Sequence, residues 1–279
     1  MASGISMTAP LALLAGLILA VLVAAAAWKA RALSTSGALA ATALGTIIFG
    51  LGGVGWAVLL LAFFISSSAL SRLFKRRKSA LDEKFSKGSQ RDAAQVLANG
   101  GAAGLCVLLH ALFPTELWPW AAFAGALAAA NADTWATELG VLSSNAPRLV
   151  TNGQVVERGT SGGITPAGTL ASLAGALLIA ALAVLLWPVG APESAPAWLV
   201  WFTLAGMGGG LLDSFLGATL QAIYTCPNCC KETERFPLHT CGEPTTLKRG
   251  LTWMNNDWVN GFCTLAGALL AGGAGLIFL

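Results

Sequence analysis

Long apolar runs separated by short polar stretches fill nearly the whole chain, at roughly 8–27, 36–51, 54–70, 92–112, 118–142, 163–188, 197–222 and 254–278. A helix needs about 17 to 25 such residues to cross a bilayer, so most of these runs predict membrane-spanning helices. The second and third are short and only "LGGVG" separates them, which fits either a tight hairpin or one broken helix that does not fully cross. The first run lies where a signal peptide would, but Lys29 and Arg31 follow it instead of preceding it, so it is expected as a retained helix. The pattern predicts an all-α, polytopic membrane helical bundle of about eight transmembrane helices. It forms one integral-membrane domain over 1–279, with a small Cys-rich loop at 223–252.

Composition agrees: 56% of the 279 residues are hydrophobic and only 10% charged, against about 25% charged in soluble domains. All sixteen Lys and Arg fall in the segments 28–36, 71–91, 143–162 and 223–252, while the alternate connections carry only Glu116 and Glu193. The positive-inside rule makes the basic loops cytoplasmic and puts both termini outside, as in a multi-pass protein of a bacterial-type plasma membrane. The net charge of +3 therefore orients the chain in the lipid bilayer and does not point to nucleic acid. The segment 71–91 reads as a solvated stop-transfer loop or, functionally, as a rim that attracts phosphate. Trp118, Trp120 and Trp253 near span ends read as interface anchors, and His110 as an interfacial or packing residue.

"NADTWATELG" breaks this pattern by placing Asp133 and Glu138 in an apolar run. A carboxylate there costs several kcal/mol by insertion scales, so such groups usually face a cavity and mark a functional path. Asp213 lies in "GMGGGLLDSFLGATLQ", Asp257 in "NNDWVN", and Asn99 two turns inside the run that Asp92 opens. All fall in the cytoplasmic half of the expected bundle. At about 100° per residue, Asp133, Thr137 and Gly140 share one helix face and Asn131, Thr134 and Glu138 another. The two acids point about 140° apart, so either the helix breaks, or one acid is the ligand and the other a supporting or structural partner, with Asp133 the expected ligand. Gly206 and Gly210 have GxxxG spacing, and Gly210, Asp213 and Gly217 recur on one face, either as a packing seam or as a close approach for substrate. Asn256 and Asn260 lie one turn apart around Asp257. Helix capping would use one of these groups and leave the others to explain.

Between the fifth and sixth runs, "RLVTNGQVVERGTSGGITP" is rich in Gly, Ser and Thr and carries Arg148 and Arg158. Backbone amides of Gly159, Thr160, Ser161, Gly162 and Gly163, ahead of a helix expected to start near Gly163, form an anion site with a nearby Arg. No GxxxxGK[ST] string occurs, so this is not a P-loop. Mg²⁺ prefers one or two carboxylates plus phosphate oxygens, and phosphoryl transfer needs positioning and charge neutralisation above all. Further on, Cys226-x₂-Cys229 and His239-x-Cys241 offer four ligands for a structural Zn²⁺, with free thiols or a redox pair as the alternatives.

The motifs "ADTWATELG", "PRLVTNGQVVERGTSGG", "LLDSFLGATLQ", "CPNC…HTCG" and "NNDWVN", in this order, resemble the integral-membrane family that includes plant phytyl phosphate kinase and the transmembrane-protein-nineteen-like proteins. The likeness runs from the fourth helix onward. More distantly, Asp133-x₂-Ala136-x₃-Gly140 and the Gly-rich loop look like CTP-dependent phytol and dolichol kinases. The resemblance implies Mg²⁺-assisted phosphoryl transfer from CTP or another nucleoside triphosphate to an isoprenoid monophosphate. It implies that Asp133 holds Mg²⁺ with Asp213 or Asp257 as the second carboxylate. Arg158 and the Gly159–Gly163 backbone would take donor phosphates, Arg148 the acceptor phosphate, and Asn256 and Asn260 phosphate oxygens or water. Asn131, Glu138 and Asn99 are further substrate-binding candidates. The competing readings are a secondary transporter that uses the intramembrane acids for proton or cation coupling, and a membrane scaffold that displays a zinc loop.

Overall fold

The computed structural model describes residues 8–74, 84–88, 90–189, 192 and 194–279. Among them, eight α-helices follow the apolar runs: α1 Thr8–Lys29, α2 Thr35–Ile47, α3 Val54–Leu73, α4 Ala93–Leu112, α5 Trp118–Gly140, α6 Pro166–Leu185, α7 Ala195–Thr219 and α8 Asn256–Phe278. Glu193 and residues 75–83 of the basic stretch 71–91 lie outside the described residues. Local chemistry sets the helix starts, because the first N–H groups of a helix need acceptors from outside it. Ser34 caps α2 through the Gly37 amide. Asp92 and Gln95 form a reciprocal capping box on α4. Asn255 caps α8 by accepting from the Asp257 and Trp258 amides.

Seven of these helices, counting α2 with its π-helical extension Ile48–Gly52, are long and apolar enough to cross a membrane. The remaining one, α5, is as long at 23 residues but carries Asn131, Asp133 and Glu138. It is also the central helix, packed by α3, α4, α6, α7 and α8, so protein and not lipid surrounds it. The second and third runs do not fold back as a hairpin. The chain turns at Gly53, whose φ of 82° suits glycine; α2 then packs on α1 and α4, while α3 packs on α5 and α6.

Small residues bring the helices close. A Cβ on Gly125 would meet the Gly267 carbonyl oxygen at 2.2 Å, so α5 and α8 touch backbone to backbone. On α7 the seam residues are Gly206 and Gly209, whose added Cβ atoms would lie 2.9 and 2.5 Å from Ala128 and Ala129. Gly210, the expected partner of Gly206, instead opens toward a hollow among the helix ends. At the far end from the basic loops, Trp56 stacks on His110 with ring centroids 5.0 Å apart and meets Trp120 and Phe123. His110 is thus a packing residue. Trp120 is 1% exposed and belongs to this aromatic core, not to an interface belt. Trp253, 54% exposed, stays at the surface.

The loops at the basic end hold two small sheets. Strand β1 Arg148–Leu149 pairs antiparallel with β2 Gly163–Ile164. Strands β3 Ile223–Thr225, β4 Glu232–Thr233 and β5 Thr246–Arg249 form a second sheet in the order β4-β3-β5. Helix α6 therefore does not start near Gly163. Gly163 and Ile164 are spent in the hairpin, and Thr165 as N-cap with Pro166 in the first turn starts the helix.

Candidate functional site

A hollow of about 150 Å³ opens among the ends of α5, α6 and α7 on the side of the basic loops. From α5 it takes Asp133, Thr137 and Gly140, and from α7 it takes Gly210, Asp213 and Gly217, the two stripes that helical spacing predicts. Residues Arg158 to Ile164 form a further wall, and Asn256 enters from the start of α8. The Asp133 and Asp213 carboxyl groups, from different helices, approach to hydrogen-bonding contact. The Asp213 Oδ2 atom is buried and has no partner among the described residues. Buried carboxylate oxygens are rarely left this way unless a ligand completes them.

Other candidates lie elsewhere. Asn131 accepts from Ser66 and Ser67 Oγ at 3.1 Å each and donates to the Gly175 carbonyl at 2.8 Å, which ties α5 to α3 and α6. Glu138 accepts from Ser71 Oγ at 2.7 Å and supports the buried Arg91 guanidinium, whose pKa burial lowers to about 10. Both face α3, away from the hollow. Asn99 donates to the Gln95 carbonyl and lines a separate, mostly apolar hollow of about 70 Å³ beside Arg91. Arg148 is engaged in its own hairpin, donating to the Gly153 carbonyl at 2.9 Å. Asn260 is half-buried and does not line the site.

Asp257 stands at the edge. Lys87 pairs with its Oδ2 at 2.5 Å and with Asp92 at 2.8 Å, while Asp257 Oδ1 is buried without a partner among the described residues. Burial alone would lower the Lys87 pKa, but hydrogen bonds to the two carboxylates outweigh it and the value ends raised. Lys87 belongs to a short strap whose Phe85 also lines the hollow. The strap is fastened at its other end by Lys84 to Glu157 at 2.8 Å.

Sequence reasoning did not find Phe85, Lys87, Gln221, Glu234 or Arg249. Glu234 comes from the Cys/His loop, yet it lines the hollow. Burial pushes its carboxyl above the ordinary value, against hydrogen bonds from Gln221, Ser86 and Ser161. Gln221 could have been found, since it lies one turn past Gly217 on the Asp213 stripe. In the same loop the ligand atoms of Cys226, Cys229, His239 and Cys241 all lie within 4.8 Å of one another. Cys226 and Cys241 Sγ are 3.6 Å apart, and His239 Nδ1 is 3.2 Å from Cys241 Sγ. Arms of about 2.0 to 2.3 Å to a tetrahedral ion give edges near these lengths, so the four form a cluster able to hold a metal ion such as zinc.

Comparison with known proteins places this architecture. The family model described as integral membrane protein DUF92 matches residues 18–268. The chain belongs to this family. It is 34% identical to Protein PGR of Arabidopsis thaliana over 75% of the chain and 79% of that protein. A membrane protein of Methanocaldococcus jannaschii is 36% identical over 69% of the chain and 76% of its own length. Protein VTE6, chloroplastic, of Arabidopsis thaliana is 26% identical over 86% of the chain and 64% of that protein. No solved structure matches. With the family and the helices together, the DUF92 protein is an integral, multi-pass membrane protein.

Proposed function

We propose that this DUF92 protein is a membrane-embedded isoprenoid phosphate kinase, which moves a phosphoryl group from a nucleoside triphosphate to a prenyl monophosphate such as phytyl monophosphate. The observation that carries this reading is the meeting of Asp133 and Asp213 in a hollow that the Arg158–Gly163 turn also lines. Acids and an amide-rich basic turn lining one hollow suit a cation-bridged phosphate. The likeness of the motifs to phytyl phosphate kinase supplies the substrate class, and CTP is the donor to test first.

Two carboxylates, one with an unpartnered buried oxygen, are the donor set that Mg²⁺ prefers before phosphate and water complete its shell. When bound there, the ion would neutralise charge on the transferring phosphoryl group. Asp133 and Asp213 would hold it. Arg158 and the Ser161 and Gly162 amides would bind donor phosphates, since the Thr160 and Gly163 amides already donate to the Glu157 and Thr160 carbonyls. Both arginines donate to a loop carbonyl, Arg148 to that of Gly153 and Arg158 to that of Ser144 at 3.3 Å, but of the two only Arg158 lines the hollow, so Arg158 is the one placed for anionic reactants. An acceptor phosphate oxygen attacks the γ-phosphorus, the bond to the β–γ bridging oxygen breaks, and the nucleoside diphosphate leaves. That oxygen is already anionic at neutral pH, so no general base is required. The Cys/His cluster would hold structural Zn²⁺.

The hollow lies among the basic loops, so the same reading makes that end cytosolic, where nucleotide is available. A transporter would need a second opening. The opposite half is filled by Trp56, Trp120 and Phe123 on one flank and Trp187, Trp198 and Phe202 on the other. Purified protein with Mg²⁺, labelled CTP or ATP, and phytyl or geranylgeranyl monophosphate should form labelled prenyl diphosphate. No product from any pairing of donor and acceptor would refute the kinase.

A further inference from the structure

Glu234 has a part in the hollow that the phosphoryl chemistry above does not use. Its Oε1 accepts from Gln221 Nε2 at 2.8 Å and from Ser161 Oγ at 3.2 Å. Its Oε2 accepts from the Ser86 amide at 3.5 Å, and its own amide donates to the Lys84 carbonyl at 2.8 Å. One carboxylate thus joins the end of α7, the Gly-rich turn, the strap and the Cys/His loop. Ser161 is gripped a second time: Arg249 Nη2 donates to its carbonyl at 3.3 Å while Nη1 holds the Gly217 carbonyl at 2.8 Å. Arg249 lies on β5 and Glu234 directly follows β4, so both grips come from the one sheet that the Cys/His cluster closes. Beside Ser161 the turn is pressed on α7, where a Cβ on Gly162 would lie 2.4 Å from that of Ala218.

We propose that Glu234 is a positioning residue for the anion-binding turn: together with Arg249 it fixes Ser161 on the wall of the hollow, which makes the Cys/His loop a working part of the site. The proposal rests on the reading of that hollow as a phosphate site. It separates Glu234 from a group that binds the divalent ion or moves a proton, because positioning needs its acceptor oxygen and not its charge.

The probe is inorganic pyrophosphate with Mg²⁺, titrated into the full-length, detergent-purified protein by calorimetry. Glu234→Ala and Ser161→Ala should each weaken binding about tenfold, as for loss of a buried hydrogen bond, and the double variant should be no weaker than either. Glu234→Gln keeps the oxygen that Ser161 and Gln221 donate to and gives up only the long 3.5 Å contact from the Ser86 amide, so it should stay within about threefold of the wild type in binding, and in kcat at saturating nucleotide. Metal content and the melting temperature are read for each variant; where Glu234→Ala does not fold, Ser161→Ala and Glu234→Gln carry the test. A Glu234→Gln protein with kcat as low as that of Glu234→Ala would overturn the proposal, as would unchanged pyrophosphate binding in Ser161→Ala or no binding by the wild type. Pyrophosphate binding without any turnover would refute the kinase and leave this role of Glu234 standing.

Discussion

The carboxyl groups of Asp133 on α5 and Asp213 on α7, eighty residues apart in the chain, meet in one hollow. Among the described residues neither has a basic partner there, so no salt bridge ties the two helices at this point, and under the kinase reading the pair is the expected cation site. Replacing either with Asn should slow prenyl diphosphate formation by at least about 10²-fold, the scale on which electrostatic stabilisation of a transition state is lost. Groups that act as a unit are not additive, so the double variant should be little worse than one. Initial rates with labelled nucleotide check both expectations.

Lys87 fastens the strap through Asp92 and Asp257. Its raised pKa means that its contribution to stability is fully present below the ordinary value of 10.5 and lost as pH rises through the higher folded value. Asp92 is opposite in sign: its pKa is lowered, because the Lys87 and backbone hydrogen bonds outweigh burial. Its contribution is present above 3.8 and lost as pH falls through the depressed value. The melting-temperature gap between wild type and Lys87→Met should therefore be flat from about pH 5 to 9 and shrink beyond both ends.

Gly267 lies where α8 touches α5, with the Gly125 carbonyl 2.4 Å from an added Cβ. Gly267→Ala should destabilise the fold by about 1–3 kcal/mol through overpacking. Gly273→Ala on the same helix, where nothing lies within 4 Å, should not. Thermal unfolding in one detergent compares them.

Metal content tests the Cys/His cluster. The purified protein is expected to carry zinc, and Cys226→Ala combined with Cys229→Ala should lose it, since removing two thiolate ligands takes away half of a tetrahedral set. Elemental analysis showing undiminished zinc would reject this ligand set.

Asp133 and Asp213 were legible in the sequence because an acid in an apolar run is costly, and helical spacing then chose their faces. The same spacing separated Glu138 from Asp133. It could not show that Ser66, Ser67 and Ser71 on α3 wait for Asn131 and Glu138, because a serine in an apolar helix carries no cost that demands explanation. Glu234 and Lys87 were illegible for the converse reason: a charge in a polar loop needs no partner until the fold buries it. Trp120 shows a third limit, since an aromatic ring near a span end serves lipid and protein core equally well on paper.

The central claim is that Asp133 and Asp213 jointly hold a divalent ion against phosphate. Mn²⁺ shares the oxygen preference of Mg²⁺ and is paramagnetic, so its binding can be titrated directly by electron paramagnetic resonance in the presence of pyrophosphate. The wild type should bind Mn²⁺, and the Asp133→Asn, Asp213→Asn double variant should bind it at least about tenfold more weakly. Equal Mn²⁺ affinity in the two proteins would contradict the account.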